Sequence, residues 1–155
     1  MEECKYSFFI SYSHKDKHLV DSIKEELNKA EITYWVDSKL KVGERHGFTQ
    51  DIAQAINDSR FVLFVWSQSS NDSSFVSKEI AYAVEKQKNI VTYRIDENID
   101  TTENNAIEFN VGNIHRINAY ELGRYEAIKQ KLIPELIAMT QSKQLPPPLY
   151  TFRQA

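Results

Sequence analysis

Residues 59–91, SRFVLFVWSQSSNDSSFVSKEIAYAVEKQKNIV, hold the pattern that decides the fold. Phe61, Val62, Leu63, Phe64, Val65 and Trp66 form an unbroken apolar run of β-branched and aromatic residues, without the alternation of a strand that has one wet face. Such a run predicts a strand buried on both faces. It stops at Ser67, and residues 68–75 hold four serines, one asparagine and one aspartate, a loop composition with several available N-caps. From Phe75 the apolar residues recur at Phe75, Val76, Ile80, Ala81, Ala83 and Val84, which predicts a helix. Glu79 falls one turn after Phe75 on this stripe, close to the helix start and to a polar loop at a strand's carboxyl end. Ligands of open α/β sheets bind outside those ends. Periodicity leaves two roles open for Glu79: a site carboxylate, or an exposed glutamate that stabilises the helix start through the macrodipole.

The flanking sequence repeats the same unit. Tyr6, Ser7, Phe8, Phe9 and Ile10 read as a first strand ending in a polar loop over residues 11–16, after which Leu19, Val20, Ile23 and Leu27 recur at helical spacing with Asp16 as a candidate cap. A second strand over residues 32–36 closes at Asp37 and leads into a charged loop, residues 38–45, that contains Gly43 and exposes Leu40 and Val42. Phe48, Ile52, Ala53, Ala55 and Ile56 form the next helical stripe, just ahead of the central run. Beyond Glu79's helix, residues 90–95 read as a strand, 96–105 as a loop, 104–109 as a short helix and 113–118 as an edge strand. Residues 121–141 read as a closing helix that Pro134 kinks or breaks.

This alternation implies parallel strands joined by right-handed crossovers with helices on both faces: an α/β, flavodoxin-like three-layer sandwich with a five-stranded parallel sheet in the order 2-1-3-4-5. That order places the switch point between strands one and three, so the loops after Ile10 and Trp66 flank a crevice that Glu79 shares with residues 11–15. Residues 1–141 read as one domain. The tail 142–155 contains Pro146, Pro147 and Pro148, favours an extended polyproline conformation and reads as a linker toward a further C-terminal module.

The 155-residue chain is 41% hydrophobic and 26% charged, which suits one sizeable core. Its formal net charge of −3 argues against nucleic-acid or anionic-membrane binding, which need a cationic footprint. No apolar run approaches the roughly 20 residues of a membrane span. With Cys4 as the single cysteine and no leader-like N-terminus, the expected location is cytoplasmic, and Cys4 reads as a buried or half-buried residue without redox duty.

Three pieces, in order and each at a strand's carboxyl end, resemble the Toll/interleukin-1 receptor (TIR) domain over residues 5–141. They are Phe9-Ile10-Ser11-Tyr12-Ser13, then Trp35-Val36-Asp37 with Leu40-Lys41-Val42-Gly43-Glu44, and Ser67-Gln68-Ser69-Ser70 followed by Phe75-Val76-Ser77-Lys78-Glu79. The likeness is to the bacterial branch, whose domains sit beside sensor modules in antiviral defence proteins. That family comprises signalling scaffolds and enzymes that cleave the nicotinamide–ribose bond of NAD+. The resemblance implies that Glu79 is the catalytic glutamate and that NAD+ is a substrate, with no separate cofactor or metal. It also implies that Phe9, Ser11, Ser13, His14, Lys41, Gly43 and Phe75 line the substrate site. Phe75 stands where the family often has a tryptophan, which leaves a smaller stacking surface. Lys41 departs from an acidic residue found there in some members. The partners implied are other TIR domains, in a homo-oligomer or filament, and a fused or separate sensor, cyclic-nucleotide-binding sensors included.

A single carboxylate suits this chemistry. Nicotinamide leaves a cationic pyridinium as a neutral molecule, so the general acid that ordinary glycosidases use is not needed. A carboxylate that holds the ribose hydroxyls and faces the oxocarbenium-like carbon suffices. Two rivals fare worse on the residues. A phosphoacceptor receiver needs aspartates after strands one and three, and a flavodoxin needs a glycine-rich phosphate loop that residues 11–17 lack. A nucleoside deoxyribosyltransferase-like enzyme is not set aside by the residues, since it uses a similar sheet and a glutamate against an anomeric carbon. A non-catalytic TIR–TIR scaffold is the alternative from another class, and it has no need of Glu79.

Overall fold

Five strands, β1 (Tyr6–Ser11), β2 (Tyr34–Trp35), β3 (Ser59–Trp66), β4 (Asn89–Arg94) and β5 (Arg116–Asn118), all pair in parallel. Their order is β2-β1-β3-β4-β5 in the computed structural model, which describes residues 4–37, 49–111 and 115–141. This is the flavodoxin-like sheet the alternating pattern implies. Helices α1 (Lys17–Lys29) and α6 (Ile133–Gln141) cover one face, and α2 (Gln50–Asn57), α4 (Ser74–Glu85) and α5 (Ala106–Val111) cover the other. None of the described helices is long and apolar enough to cross a membrane.

β3 explains the division. Phe61, Leu63 and Val65 pack against Val20, Ile23 and Leu27 of α1 and against Leu132 and Leu136 near the C-terminus. Val62, Phe64 and Trp66 meet Ile52 and Ile56 of α2 and Val76 and Ile80 of α4. Side chains alternate between the faces of a strand, so a run apolar at every position requires a helix layer on each side.

Several boundaries differ from the sequence reading, each for a local reason. β2 is reduced to two residues because the N–H of Ile32 donates to Leu27 O, closing the end of α1, before the chain can extend. Residues 68–71, read as loop, form a helical turn, α3 (Gln68–Asn71). Ser67 and Ser70 make a reciprocal capping box: Ser67 Oγ accepts from Ser70 N at 3.1 Å, and Ser67 N donates to Ser70 Oγ at 2.8 Å. The closing helix is interrupted as expected near Pro134, where a π-helical segment, Ile128–Leu132, precedes α6 and widens the turn that the proline ring enters. Cys4 is exposed, not buried. The loop residues Leu40, Lys41, Val42 and Gly43, the helix residue Phe48 and the tail 142–155 lie outside the described residues.

Helices α1 and α4 both end on a non-glycine residue in the left-handed region, Glu31 at φ 58° and Gln87 at φ 58°. After each, the next N–H returns to the last helical turn, Ile32 to Leu27 O and Lys88 to Ala83 O, both at 3.0 Å. A side chain there costs on the order of 1 kcal/mol that glycine would not incur. Gln87→Gly is therefore expected to raise the thermal midpoint by a few degrees in a calorimetric scan.

Candidate active site

The strand order reverses between β1 and β3, so the loops leaving their carboxyl ends diverge and leave a crevice. A cavity of about 440 Å³ occupies it. Tyr12, Ser13, His14 and Lys15 form the wall from the β1 side, and Gln68, Ser69, Asp72, Ser73 and Phe75 form the wall from the β3 side. The volume lies in the range of small-molecule sites.

The two walls are tied together at their base. Ser67 Oγ donates to Asp16 Oδ2 at 2.5 Å, and Asp96 accepts from Gln68 N at 2.9 Å and from Arg124 at 2.7 Å. Asp16 makes no capping bond to α1, contrary to the sequence reading. Burial raises its carboxyl's pKa, against the pull of the Ser67 hydroxyl. Behind this, Asn71 is fully buried and accepts from Trp66 Nε1 at 3.2 Å, while its Nδ2 donates to Asn104 O at 3.1 Å. The loop over residues 96–105 is thus fastened to the crevice.

Glu79 is buried and is not among the residues that line this cavity. On α4 the buried positions are Val76, Glu79, Ile80 and Ala83, a single stripe facing the sheet. On β1, Phe9 points to the same side, and Ser11, two residues on, does so as well. Ser11 Oγ donates to Glu79 Oε1 at 2.6 Å, with Ser11 1% and Glu79 3% exposed. The reading of Glu79 as an exposed helix-start residue is therefore excluded. Burial pushes its carboxyl up to about 8; the Ser11 hydrogen bond pulls the other way, and the Asp37 carboxylate at the end of β2 adds to the rise. At neutral pH Glu79 is chiefly the neutral acid. Tyr12 is held above its ordinary range by burial and by the charges of Asp21, Asp37 and Glu79.

The structure gathers Ser11 with Glu79, and Ser13, His14 and Phe75 in the adjoining cavity wall. Ser13 is itself engaged, its Oγ accepting from Lys15 N at 3.3 Å. Phe9 is not a surface residue of the site: it is 1% exposed and stacks on Trp35, ring centroids 5.2 Å apart and 13° from parallel. Lys17 pairs with Asp21 at 2.9 Å on an exposed helix face. Lys41 and Gly43 fall outside the described residues. Asp37, whose charge adds to the rise at Glu79, was not singled out from the sequence, because it lies on no apolar stripe of the kind that marks Glu79. It lines a second cavity of about 570 Å³ with Trp35, Val36 and Ile52.

The sequence profile of the TIR domain family matches residues 8–136, so the chain belongs to that family. Among solved structures it is similar to the TIR domains of the activated Roq1 resistosome that directly recognises the pathogen effector XopQ, with TM-score 0.61 and 20% identity over 84% of this chain and 99% of that one. It is equally similar to the TIR domain of the Toll-related receptor TRR-2 from Hydra magnipapillata, with TM-score 0.61 and 15% identity over 85% and 98%. A diflavin flavoprotein A3 from Nostoc sp. follows at TM-score 0.50 and 11% identity over 90% and 96%. At these identities the likeness is one of fold. No curated protein matches the sequence.

The buried carboxyl links stability to pH. Its pKa is about 8 in the folded chain against an ordinary 4.5, so folding takes up a proton between those values. The stability it leaves intact is complete below about pH 4.5 and is lost as pH rises through about 8. Glu79→Gln keeps the shape and cannot ionise, so it should match the parent near pH 4.5 and exceed it by on the order of a few kcal/mol above pH 8. Denaturant titrations across that range check this.

Proposed function

We propose that this TIR domain is an NAD+ nucleosidase that cleaves the nicotinamide–ribose bond with Glu79 as its catalytic residue. The observation that carries the reading is a carboxyl group set into the buried stripe of α4, bonded to Ser11, at the sheet's switch point. Shifted carboxyls of this kind concentrate at functional sites. In the ionised form Glu79 would hold the ribose hydroxyls and stabilise the positive anomeric carbon, worth most in a site closed to water. Phe75 supplies a ring for stacking, and Ser13 and His14 the polar wall for the nucleotide. Lys41 and Gly43, by family resemblance, would complete the site from the loop after β2. Water as nucleophile gives ADP-ribose, and an oxygen or nitrogen of the same substrate gives a cyclic isomer.

Activity would depend on self-association. The resting Glu79 is buried and largely neutral, which suits a site that turns over only once a neighbour rearranges it. The Roq1 relative is described as an activated assembly, which supports the same arrangement here. A sensor joined through the proline-rich tail, cyclic-nucleotide-binding or other, would raise the local concentration of domains and so drive stacking even at weak self-affinity. Such a protein would serve as a cytoplasmic effector of antiviral defence.

Incubation of concentrated protein with NAD+ should release nicotinamide, followed by chromatography, and Glu79→Gln should lower the rate by about two orders of magnitude or more. No release, even from protein induced to assemble, leaves the non-catalytic TIR–TIR scaffold as the function. Specific activity should also rise with protein concentration, and Gly43→Pro, which fixes φ near −65°, should suppress that rise. A rate strictly proportional to concentration would show that a monomer suffices.

A further inference from the structure

The cavity of about 570 Å³ lies between the β2 edge of the sheet and α2, away from the crevice. Tyr6 and Trp35 give it aromatic surface, Ile52 an aliphatic one, and Asp37, Asp51 and Asp58 its charge. No lysine, arginine or histidine lines it among the described residues. Trp35 is half-buried, with its ring stacked on Phe9. Proline-rich segments dock in aromatic-lined grooves because the polyproline helix is already extended and loses little entropy on binding. Carboxylates beside the rings favour a segment with basic residues.

The chain carries such a segment. Residues 142–155 hold Pro146, Pro147 and Pro148 between Leu145 and Leu149, with two basic residues, Lys143 and Arg153, and no acid. Near the end of α6, Thr140 O accepts from Arg60 Nη1 at 3.0 Å, and Arg60 follows Ser59, which pairs with Tyr6. The chain therefore leaves α6 at the amino end of the sheet, where Tyr6 and Asp58 line the groove. Residues 141–145 span up to about 17 Å when extended, enough to pass round that end.

We propose that the proline-rich tail docks in cis in the groove between β2 and α2, with Pro146, Pro147 and Pro148 against Tyr6 and Trp35, and Arg153 at Asp51. Asp58 already lies 3.8 Å from Lys5 and accepts from Gln54 at 3.0 Å, whereas Asp51 is exposed in the first turn of α2. From Asp58 to Asp51 is about 10 Å along the helix, within the roughly 15 Å that the chain covers from Pro148 to Arg153 at the polyproline rise. Docking of this kind is independent of the NAD+ reading.

The test is NMR of the ¹⁵N-labelled full chain, with the Trp35 indole N–H as reporter. The only other indole, Trp66, is buried against Asn71, and its unshifted signal reports an intact fold. Replacing the three prolines together by serine should shift the Trp35 signal. A spin label on Cys4, the single cysteine, exposed and two residues from Tyr6, should broaden the amides of Leu149 and Tyr150 in the parent and far less in that variant. Arg153→Glu and Asp51→Lys should each release the tail in the same way, and the two together should restore it. A Trp35 signal that none of the tail variants moves, or a charge swap that restores nothing, would overturn the proposal. Broadening that grows with protein concentration would put a second copy's tail in the groove. A Trp35 signal that moves with Lys39→Ala or Lys41→Ala and ignores the tail would put the loop after β2 there, and either result overturns docking in cis.

Discussion

The hydrogen bond from Ser11 to Glu79 joins residues 68 positions apart, and it exists because β3 is buried on both faces. With β3 central, β1 must lie beside it in parallel, and the register that pairs Phe9 with Val62 and Ser11 with Phe64 fixes how far β1 reaches. The same strand's Val62, Phe64 and Trp66 draw α4 onto the sheet along Val76, Ile80 and Ala83. Once those contacts form, Glu79 is almost fully buried, and the last residue of β1 on that face, Ser11, supplies the hydroxyl it meets. The site is a by-product of core packing carried one residue past the core.

This arrangement is unfavourable by the ordinary rules of folding. A leucine at position 79 would extend the apolar stripe of α4 and bury without desolvating a charge. A glutamate there lowers stability as the pH rises, and nothing in the sheet or helix layers requires it. Local departures from a consistent sequence pattern concentrate where function demands them. Asp16 follows a milder version of the same logic: a carboxyl turned away from capping α1 to join the β1 loop to the β3 loop, so that the crevice has a fixed width.

Much of the architecture was legible because it rests on periodicity. The run from Phe61 to Trp66 reads as a doubly covered strand, and the stripes of α1, α2 and α4 each follow from four to six apolar positions. Glu79 was legible as an anomaly on such a stripe. Its burial was not, because a residue near a helix start can sit on either side of the boundary between core and water, and only the reach of β1 settles which. Position alone was also ambiguous for Phe9 and Ser11. They lie in one run with Ser13 and His14, but the strand ends at Ser11, so the first two are buried in the sheet and the last two stand in the loop that forms the cavity wall. The capping turn of α3 was hidden because serine marks loops and helix caps alike, and Asp37 because its influence on Glu79 crosses from a neighbouring strand.

The central claim, that Glu79 acts on the nicotinamide ribose in the crevice between β1 and β3, is tested most directly by a crystal structure of assembled Glu79→Gln bound to NAD+. The account predicts the nicotinamide-side ribose within hydrogen-bond reach of residue 79, a ring of the substrate against Phe75 and the pyrophosphate along Ser13 and His14. Clear density for the nucleotide elsewhere on the domain, with the Ser11 contact to residue 79 unbroken and the crevice filled by water, would contradict it.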